Sequence, residues 1–254
     1  TTVVVYIDSA ILCHGLNNGQ LTANASGMSS TYNYSWSNSS TSSTINGLGA
    51  NTYIVTATDV NGCSAVDSAT LIEPDALIGS LSAMDISCYG LANGYAATSV
   101  SGGTSAYSYV WNTSATTDSI GGLLAGIYTV TISDVNDCQL VLDTTIVEPD
   151  SLVVTVILSD TSLCFGDTSA FAIATVNGGT SQYAFDWIGT GVTNDTLSNI
   201  GAGTYILLVT DGSGCVASDT QTITSDTLPI VTLSLPIDST CQFVSVELTG
   251  QTPI

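Results

Sequence analysis

The chain has 254 residues, 21 of them Asp or Glu, one His and no Lys or Arg, giving a net charge of −21. With no cationic side chain it has nothing to neutralise phosphates, so nucleic-acid binding is excluded, as are a Schiff-base lysine, a phosphate-loop lysine and a Lys–Asn crosslink. Anionic membranes repel it, and trypsin-like proteases find no site. Yet only 8% of the residues are charged while 44% are apolar, which is the profile of a β-rich chain whose solvent faces carry Thr, Ser and Asn in place of charge, and not of an acidic disordered tail.

One phrase recurs three times: "LGANTYIVTATDVNGC" (48–63), "LLAGIYTVTISDVNDC" (123–138) and "IGAGTYILLVTDGSGC" (200–215). The cysteines set the period. Cys13 to Cys63 spans 50 positions, Cys88 to Cys138 spans 50, and Cys164 to Cys215 spans 51. The first cysteine of each pair returns after 75, 76 and 77 positions, the last time as Cys241. Self-similarity at this period indicates a tandem array. The units are 1–74, 75–149 and 150–225, followed over 226–254 by the start of a truncated fourth β module. Cys241 is unpaired within the window, and its partner is expected downstream. "EPD" closes the first two units (Glu73 to Asp75, Glu148 to Asp150), and these short, Pro-containing linkers favour a stiff string.

Within the second unit, "ALIGSLSAMDISC" reads as a first strand ending at Cys88, "GLANG" as a turn, and "YAATSVSGG" as a second strand. "YSYVWN" places Tyr107, Tyr109 and Trp111 on one face by period-two alternation. The other units repeat this with Tyr32, Tyr34 and Trp36, and with Tyr183, Phe185 and Trp187, so Trp36, Trp111 and Trp187 are core candidates. Next comes the recurring phrase, in which Tyr128, Val130 and Ile132 face one way and Thr129, Thr131 and Ser133 the other, a half-buried antiparallel strand. "SDVNDC" turns the chain and "QLVLDTTIVEP" closes the unit. Short strands, frequent turn signals and no helical period predict an all-β fold of tandem immunoglobulin-like β-sandwich repeats of about 75 residues. The small–Gly–x–Tyr entry resembles the tyrosine corner of such domains, making Tyr53, Tyr128 and Tyr205 further core candidates.

Regular Cys pairs without Cys-x-x-Cys and with one His point to disulfides in an oxidising compartment, not to zinc. The spacing predicts pairing within each unit: Cys13 with Cys63, Cys88 with Cys138, and Cys164 with Cys215. Each bond would tie the end of the first strand to the last hairpin at one end of the sandwich. A loop of this size would stabilise a small core by about 4 kcal/mol.

The order Cys-x-Gly-x-x-Asn-Gly, Gly-Gly-Thr-x-x-Tyr-x-Tyr-x-Trp, Leu-x-x-Gly-x-Tyr-x-Val-x-Val-x-Asp-x-x-Gly-Cys, then Glu-Pro, resembles the SprB-type repeat of very large surface adhesins of gliding Bacteroidetes. The residues that carry it are Cys88, Gly90, Asn93, Gly94, Gly102, Gly103, Thr104, Tyr107, Tyr109, Trp111, Leu123, Gly126, Tyr128, Asp134, Cys138, Glu148 and Pro149. The third unit departs at "GDTSAF" and the first at "GMSST". The resemblance, over about residues 1–225, implies export by type IX secretion and display on the cell surface.

Three further patterns bear on chemistry. The turns at Asp59, Asp134 and Asp211 read either as tight hairpins or as weak calcium sites, calcium being the one cofactor in view. His14 stands where the other units have Tyr89 and Phe165, and reads as a surface or packing residue. Asp-Ser and Asp-Thr strings resembling the Bacteroidetes O-glycosylation signal mark Ser9, Ser68, Ser119, Thr144, Thr196, Thr227 and Ser239. No nucleophile–base pair is found, and the chain is read as no enzyme. The expected function is the shaft of an extracellular adhesin or filament. Its partners are neighbouring modules, other chains in a fibre, O-linked glycans and surface polysaccharide, with no membrane insertion. A carbohydrate-binding repeat and a spacer of a secreted multidomain enzyme are the alternatives.

Overall fold

The computed structural model describes residues 1–228, so residues 229–254 of the truncated fourth module, with Ser239 and Cys241, lie outside the described residues. The described chain is all-β. Its first core is built by β1 (Thr2–Ser9), β2 (Gly19–Ser26), β3 (Tyr32–Trp36), β4 (Thr44–Leu48), β5 (Asn51–Asp59) and β6 (Ser64–Leu71). They form two antiparallel sheets, ordered β1-β2-β4 and β3-β5-β6, packed face to face as an immunoglobulin-like sandwich. The second core repeats this plan with β7 (Ile78–Met84), β8 (Gly94–Ser101), β9 (Ser108–Trp111), β10 (Ser119–Leu123), β11 (Gly126–Ser133) and β12 (Gln139–Ile146), in the orders β7-β8-β10 and β9-β11-β12. The third uses β13 (Val153–Leu158), β14 (Ser162–Leu163), β15 (Ala170–Asn177), β16 (Ala184–Trp187), β17 (Thr196–Ile200), β18 (Gly203–Thr210) and β19 (Val216–Ser225). Here β14 adds a two-residue parallel edge to β19.

Period-two alternation sets each core. In the first, Tyr53, Val55 and Ala57 of β5 are buried while Thr52 and Ile54 are exposed. Trp36, Trp111 and Trp187 are buried at 3%, 2% and 0% exposure, each Nε1 donating to a backbone carbonyl (Ser42, Thr117 and Asn194) at 2.8–3.1 Å. The apolar body thus fills the core while the single polar atom stays satisfied. The tyrosine corners close as hydrogen bonds: the hydroxyls of Tyr53, Tyr128 and Tyr205 donate to Gly49, Leu124 and Gly201 carbonyls at 3.1, 2.9 and 3.0 Å.

The disulfides differ from the expected pairing. Cys13 is bonded to Cys138 and Cys88 to Cys215, with Cα–Cα distances of 5.7 and 5.6 Å. Cys63 and Cys164 are free and exposed. The reason is geometric. The first cysteine of a unit sits beside the end of its last strand: Ile86 N–H donates to Val147 O, and Asp226 N–H to Leu163 O. The second cysteine sits at the start of that same strand. Eight-residue β6 separates the two ends of the first unit by about 26 Å, far beyond the reach of a disulfide. The two cysteines of one unit therefore lie at opposite poles, and at each of the two junctions a first cysteine of one unit meets the second cysteine of the next.

Candidate functional site

The site to be explained is the junction, where the C-terminal pole of one module meets the N-terminal pole of the next. Four sequence motifs build it. The first is the Cys-x-Gly turn. Gly15, Gly90 and Gly166 adopt φ of +74°, +76° and +82°, which only glycine takes without strain, and the turn closes by a bond to the Cys carbonyl from Leu16, Leu91 or Asp167 N–H. Two residues before each cysteine, or one before Cys164, a buried apolar side chain pins the turn to the core: Ile11, Ile86 and Leu163.

The second motif is Glu-Pro. The Glu73 carboxylate accepts from Gly15 N–H at 2.6 Å, and Glu148 accepts from Gly90 N–H at 3.1 Å. The linker glutamate thus fixes the turn that presents the cysteine. His14 closes the same corner, with Nδ1 3.3 Å from Pro74 O and 3.4 Å from the Glu73 carboxylate.

The third motif is Gly-Gly-Thr. Gly103 N–H donates to Asp75 O and Gly179 N–H to Asp150 O, both at 2.8 Å, so the loop grips the linker itself. A Cβ at Gly102 or Gly178 would collide with the Ala76 or Ser151 carbonyl, and both glycines have positive φ. The linker is held by main chain that has no room for a side chain.

The fourth motif is the Asp turn that carries the second cysteine. One oxygen of the Asp134 carboxylate accepts from Asn136 and Cys138 N–H at 2.8 and 3.0 Å, and the other from Thr104 N–H at 2.9 Å. Asp211 does the same with Ser213, Cys215 and Thr180, all at 2.8–2.9 Å. Asp59 uses Asn61 and Cys63, but takes its third bond from the Thr1 hydroxyl, because the first unit lacks Gly-Gly-Thr. These three aspartates are the buried charged residues of the described chain. Both oxygens face N–H or O–H donors, an arrangement that repels a cation, so the weak calcium candidacy of Asp59, Asp134 and Asp211 gives way to a turn lock. Among the described residues no three His, Cys, Asp or Glu side chains gather as a metal site.

Across the first junction, Asn136 Nδ2 donates to Leu12 O at 3.2 Å and to the Thr104 hydroxyl at 3.0 Å, and Leu12 O also lies 3.4 Å from Cys138 Sγ. At the second, Ser87 O lies 3.2 Å from Cys215 Sγ. Shallow clefts of about 430 and 340 Å³ flank the two bridges, the first lined by His14, Leu16 and Leu77, the second by Tyr89, Leu91 and Leu152.

The carboxyl groups set a pH dependence. For Asp59 the Thr1 hydroxyl bond lowers the pKa, outweighing burial together with the Cys63 and Asn61 N–H groups. For Asp134 burial pushes upward, but the Thr104, Cys138 and Asn136 N–H groups together hold it below its ordinary 3.8. For Asp211 the Thr180 N–H leads the lowering against burial. Asp219 is also lowered: burial opposes, while the Val156 N–H bond at 2.7 Å, the Gln221 amide and the Thr220 N–H prevail. A carboxyl with a depressed folded-state pKa binds fewer protons folded than unfolded, so its contribution is full above the unfolded value and is lost as pH falls through the folded one. We expect the melting temperature to hold down to about pH 4 and to fall steeply below it. Asp134→Ala should lower it by several degrees at pH 6 and flatten the acid limb, as read by thermal melts from pH 2 to 7. An unchanged acid limb would show that these locks do not set it.

The glycosylation candidates are dispersed. Ser68 on β6 and Thr227 are exposed, whereas Ser9, Thr144, Ser119 and Thr196 are half-buried. The Ser119 and Thr196 hydroxyls each donate to the preceding aspartate at 3.0 Å.

The family model described as "SprB repeat" matches residues 10–41 and 80–116, each stretch running from just before the first cysteine or the strand leading to it past the core Trp. The first and second units thus each contain a stretch similar to the SprB repeat. None of the curated proteins compared with the chain matches it. Among solved structures, the N-terminal eight immunoglobulin domains of Down syndrome cell adhesion molecule align at 15% identity and a TM-score of 0.44, over 88% of this chain and 37% of that one. Domains 1–6 of the surface layer protein SbsC align at 11% identity and a TM-score of 0.32, over 88% and 40%.

Proposed function

We propose that the chain is a load-bearing shaft segment of an extracellular adhesin or surface filament, and that its work is mechanical and not enzymatic. The observation that carries this reading is the pair of disulfides that cross the module junctions. A junction held by a short linker alone hinges easily, and a relative domain motion is then the default. Here each junction is closed on two sides, by the gripped linker and by a covalent bridge. The shortest covalent route from Cys13 to Cys215 crosses both bridges and only the 50 residues from Cys88 to Cys138. Even with every module unravelled, that route limits the extension to about 170 Å.

Disulfides of this kind form outside the reducing cytosol, which supports a secreted, surface-exposed location. No helix among the described residues is long and apolar enough to cross a membrane. In this reading export follows the type IX route that SprB-type repeats imply, and O-linked glycans on the exposed Ser68 and Thr227 add a hydrated coat along sheet edges. Electron cryo-microscopy of producing cells, with a label directed at residues 75–149, tests the proposal. Labelled fibres reaching out from the cell support it, and label confined to compact released particles would replace it with the spacer reading.

A further inference from the structure

At the seam of each sandwich the last strand runs beside the first, and one position of the last strand faces the open edge of the first. That position lies opposite the core residue two places after the corner tyrosine: Asp67 opposite Val55, Leu142 opposite Val130 and Asp219 opposite Leu207. In the first and third modules its carboxylate accepts an N–H of the edge strand, from Val5 at 2.8 Å and from Val156 at 2.7 Å. These N–H groups point away from the sheet. The residues opposite them, Ala23 and Ala174, send their own N–H groups to the far side, to Ser43 O and Asp195 O. An inward-turned charge of this kind blunts an open edge.

The second module lacks this cap. Leu81 of β7 stands opposite Thr98, whose N–H goes to Asp118 O, so Leu81 N–H also points away from the sheet, and Leu142 offers it no acceptor. The same alternation turns the Gly79 and Ala83 main-chain groups outward. Every residue of β7 but Leu81 is exposed, and β7, β8 and β10 carry no charged side chain. The strand sequence, Ile78-Gly79-Ser80-Leu81-Ser82-Ala83-Met84, reads nearly alike in both directions about Leu81.

We infer that the open edge of β7 pairs with β7 of a second copy of this chain, antiparallel and about a two-fold axis at Leu81. This deepens the shaft reading, on which it rests, by naming the strand through which one shaft holds another. Leu81 then faces Leu81 of the second copy and Gly79 faces its Ala83, pairs that each exchange two main-chain hydrogen bonds. In the closely spaced pairs between them Ser80 meets Ser82, hydroxyl to hydroxyl. At the ends Ile78, 59% exposed, meets Met84, 63% exposed. The contact is isologous, so it closes as a dimer and does not propagate. A two-fold axis normal to the sheet reverses the strand direction, so the shafts it joins reach toward each other, as from two facing surfaces. The uncharged sheet lets copies of charge −21 approach, most readily in salt.

The test uses the 254-residue protein carrying Cys63→Ser, Cys164→Ser and Cys241→Ser, which leaves the cysteines of both junction bridges in place, in sedimentation equilibrium at about 0.5 M salt. The expected result is a concentration-dependent equilibrium between monomer and dimer. Leu142→Asp, which supplies the cap of the other modules, should weaken dimerisation about tenfold or more. Ala83→Pro should do the same, because it deletes an outward N–H while the bonds to β8 and the seam leucines stay. For the register, proteins carrying Ser80→Cys and Ser82→Cys should crosslink on oxidation when mixed, and neither should crosslink alone. Monomers at every concentration, dimers indifferent to both Leu142→Asp and Ala83→Pro, or crosslinking of Ser80→Cys with itself, as parallel strands would give, would overturn the inference. Each of these leaves the shaft reading standing so long as mass spectrometry of linked peptides finds Cys13–Cys138 and Cys88–Cys215. Loss of those bridges would remove both.

Discussion

Asp75→Lys should give a protein that trypsin cuts once and that does not come apart until it is reduced. The chain contains no Lys or Arg, so this substitution creates its one tryptic site, at an exposed linker position. Asp75 contributes to the junction through its carbonyl, which accepts from Gly103 N–H, and that bond survives the change of side chain. After the free thiols are alkylated and the protein is denatured and digested, the halves 1–75 and 76–254 should run as one species on a non-reducing gel and as two after reduction. Bridges within units would give the opposite result, because nothing would then span the linker. Adding Cys138→Ser removes the bridge across this junction and should let the halves part without reductant. If Asp75→Lys alone already parts, the junction-spanning bridge does not exist in solution.

The consequence for a shaft is considerable. The bridges Cys13–Cys138 and Cys88–Cys215 overlap between residues 88 and 138. Every peptide bond from Cys13 to Cys215 is therefore spanned by at least one bridge, and a single nick anywhere in that range does not shed the distal end. Pairing within units would leave both linkers as single points of failure. In the loop-entropy account each bridge also closes a loop of about 125 residues and contributes about 5 kcal/mol, though the overlap means the two do not simply add.

The sandwich, the inward Trp and the Tyr corner could be read from the residues because they follow from local rules: alternation along a strand, and a Tyr hydroxyl finding a carbonyl four residues back. Strand β10 was missed. Its five residues contain Gly121 and Gly122, which erase the alternation. The cysteine partners were misassigned for a deeper reason. In a periodic chain a spacing of 50 within one unit implies a spacing near 125 to the next, and composition or loop entropy does not choose between them. The choice was present in the strand between Cys63 and Glu73: eight extended residues place the two cysteines at opposite poles. The recurring Gly-Gly-Thr, Glu-Pro and Asp-turn motifs also travel together in the second unit without being neighbours in sequence. Their common place, around Asp75 and Cys138, becomes visible only once one module is set on the next.

Trp111→Ala should be tolerated in the oxidised protein and should unfold the second module in the reduced one. Trp111 is 2% exposed, among the largest fully buried side chains, and its truncation should cost about 3–5 kcal/mol in transfer and cavity terms. A module of this size has a total stability of about 4–11 kcal/mol, so the loss alone brings it near the threshold. The bridges act on the other side of the balance. With the first and third modules folded, Cys13 is held beside Pro74 by the His14 contact, so Cys138 cannot move away when the second module unfolds. Closing the loop from Pro74 to Cys138 removes unfolded-state entropy worth about 4 kcal/mol, comparable to the Trp loss. Hydrogen exchange on peptides from β8 and β11 reads the outcome. We expect protection in oxidised Trp111→Ala, little protection after reduction, and protection in the reduced parent protein. Equal protection in oxidised and reduced Trp111→Ala would show that the bridges do not stabilise the module they enclose. The third module is enclosed in the same way, Cys88 being held at its linker by the Gly90–Glu148 bond and joined to Cys215, so Trp187→Ala, at an equally buried indole, should show the same dependence on oxidation.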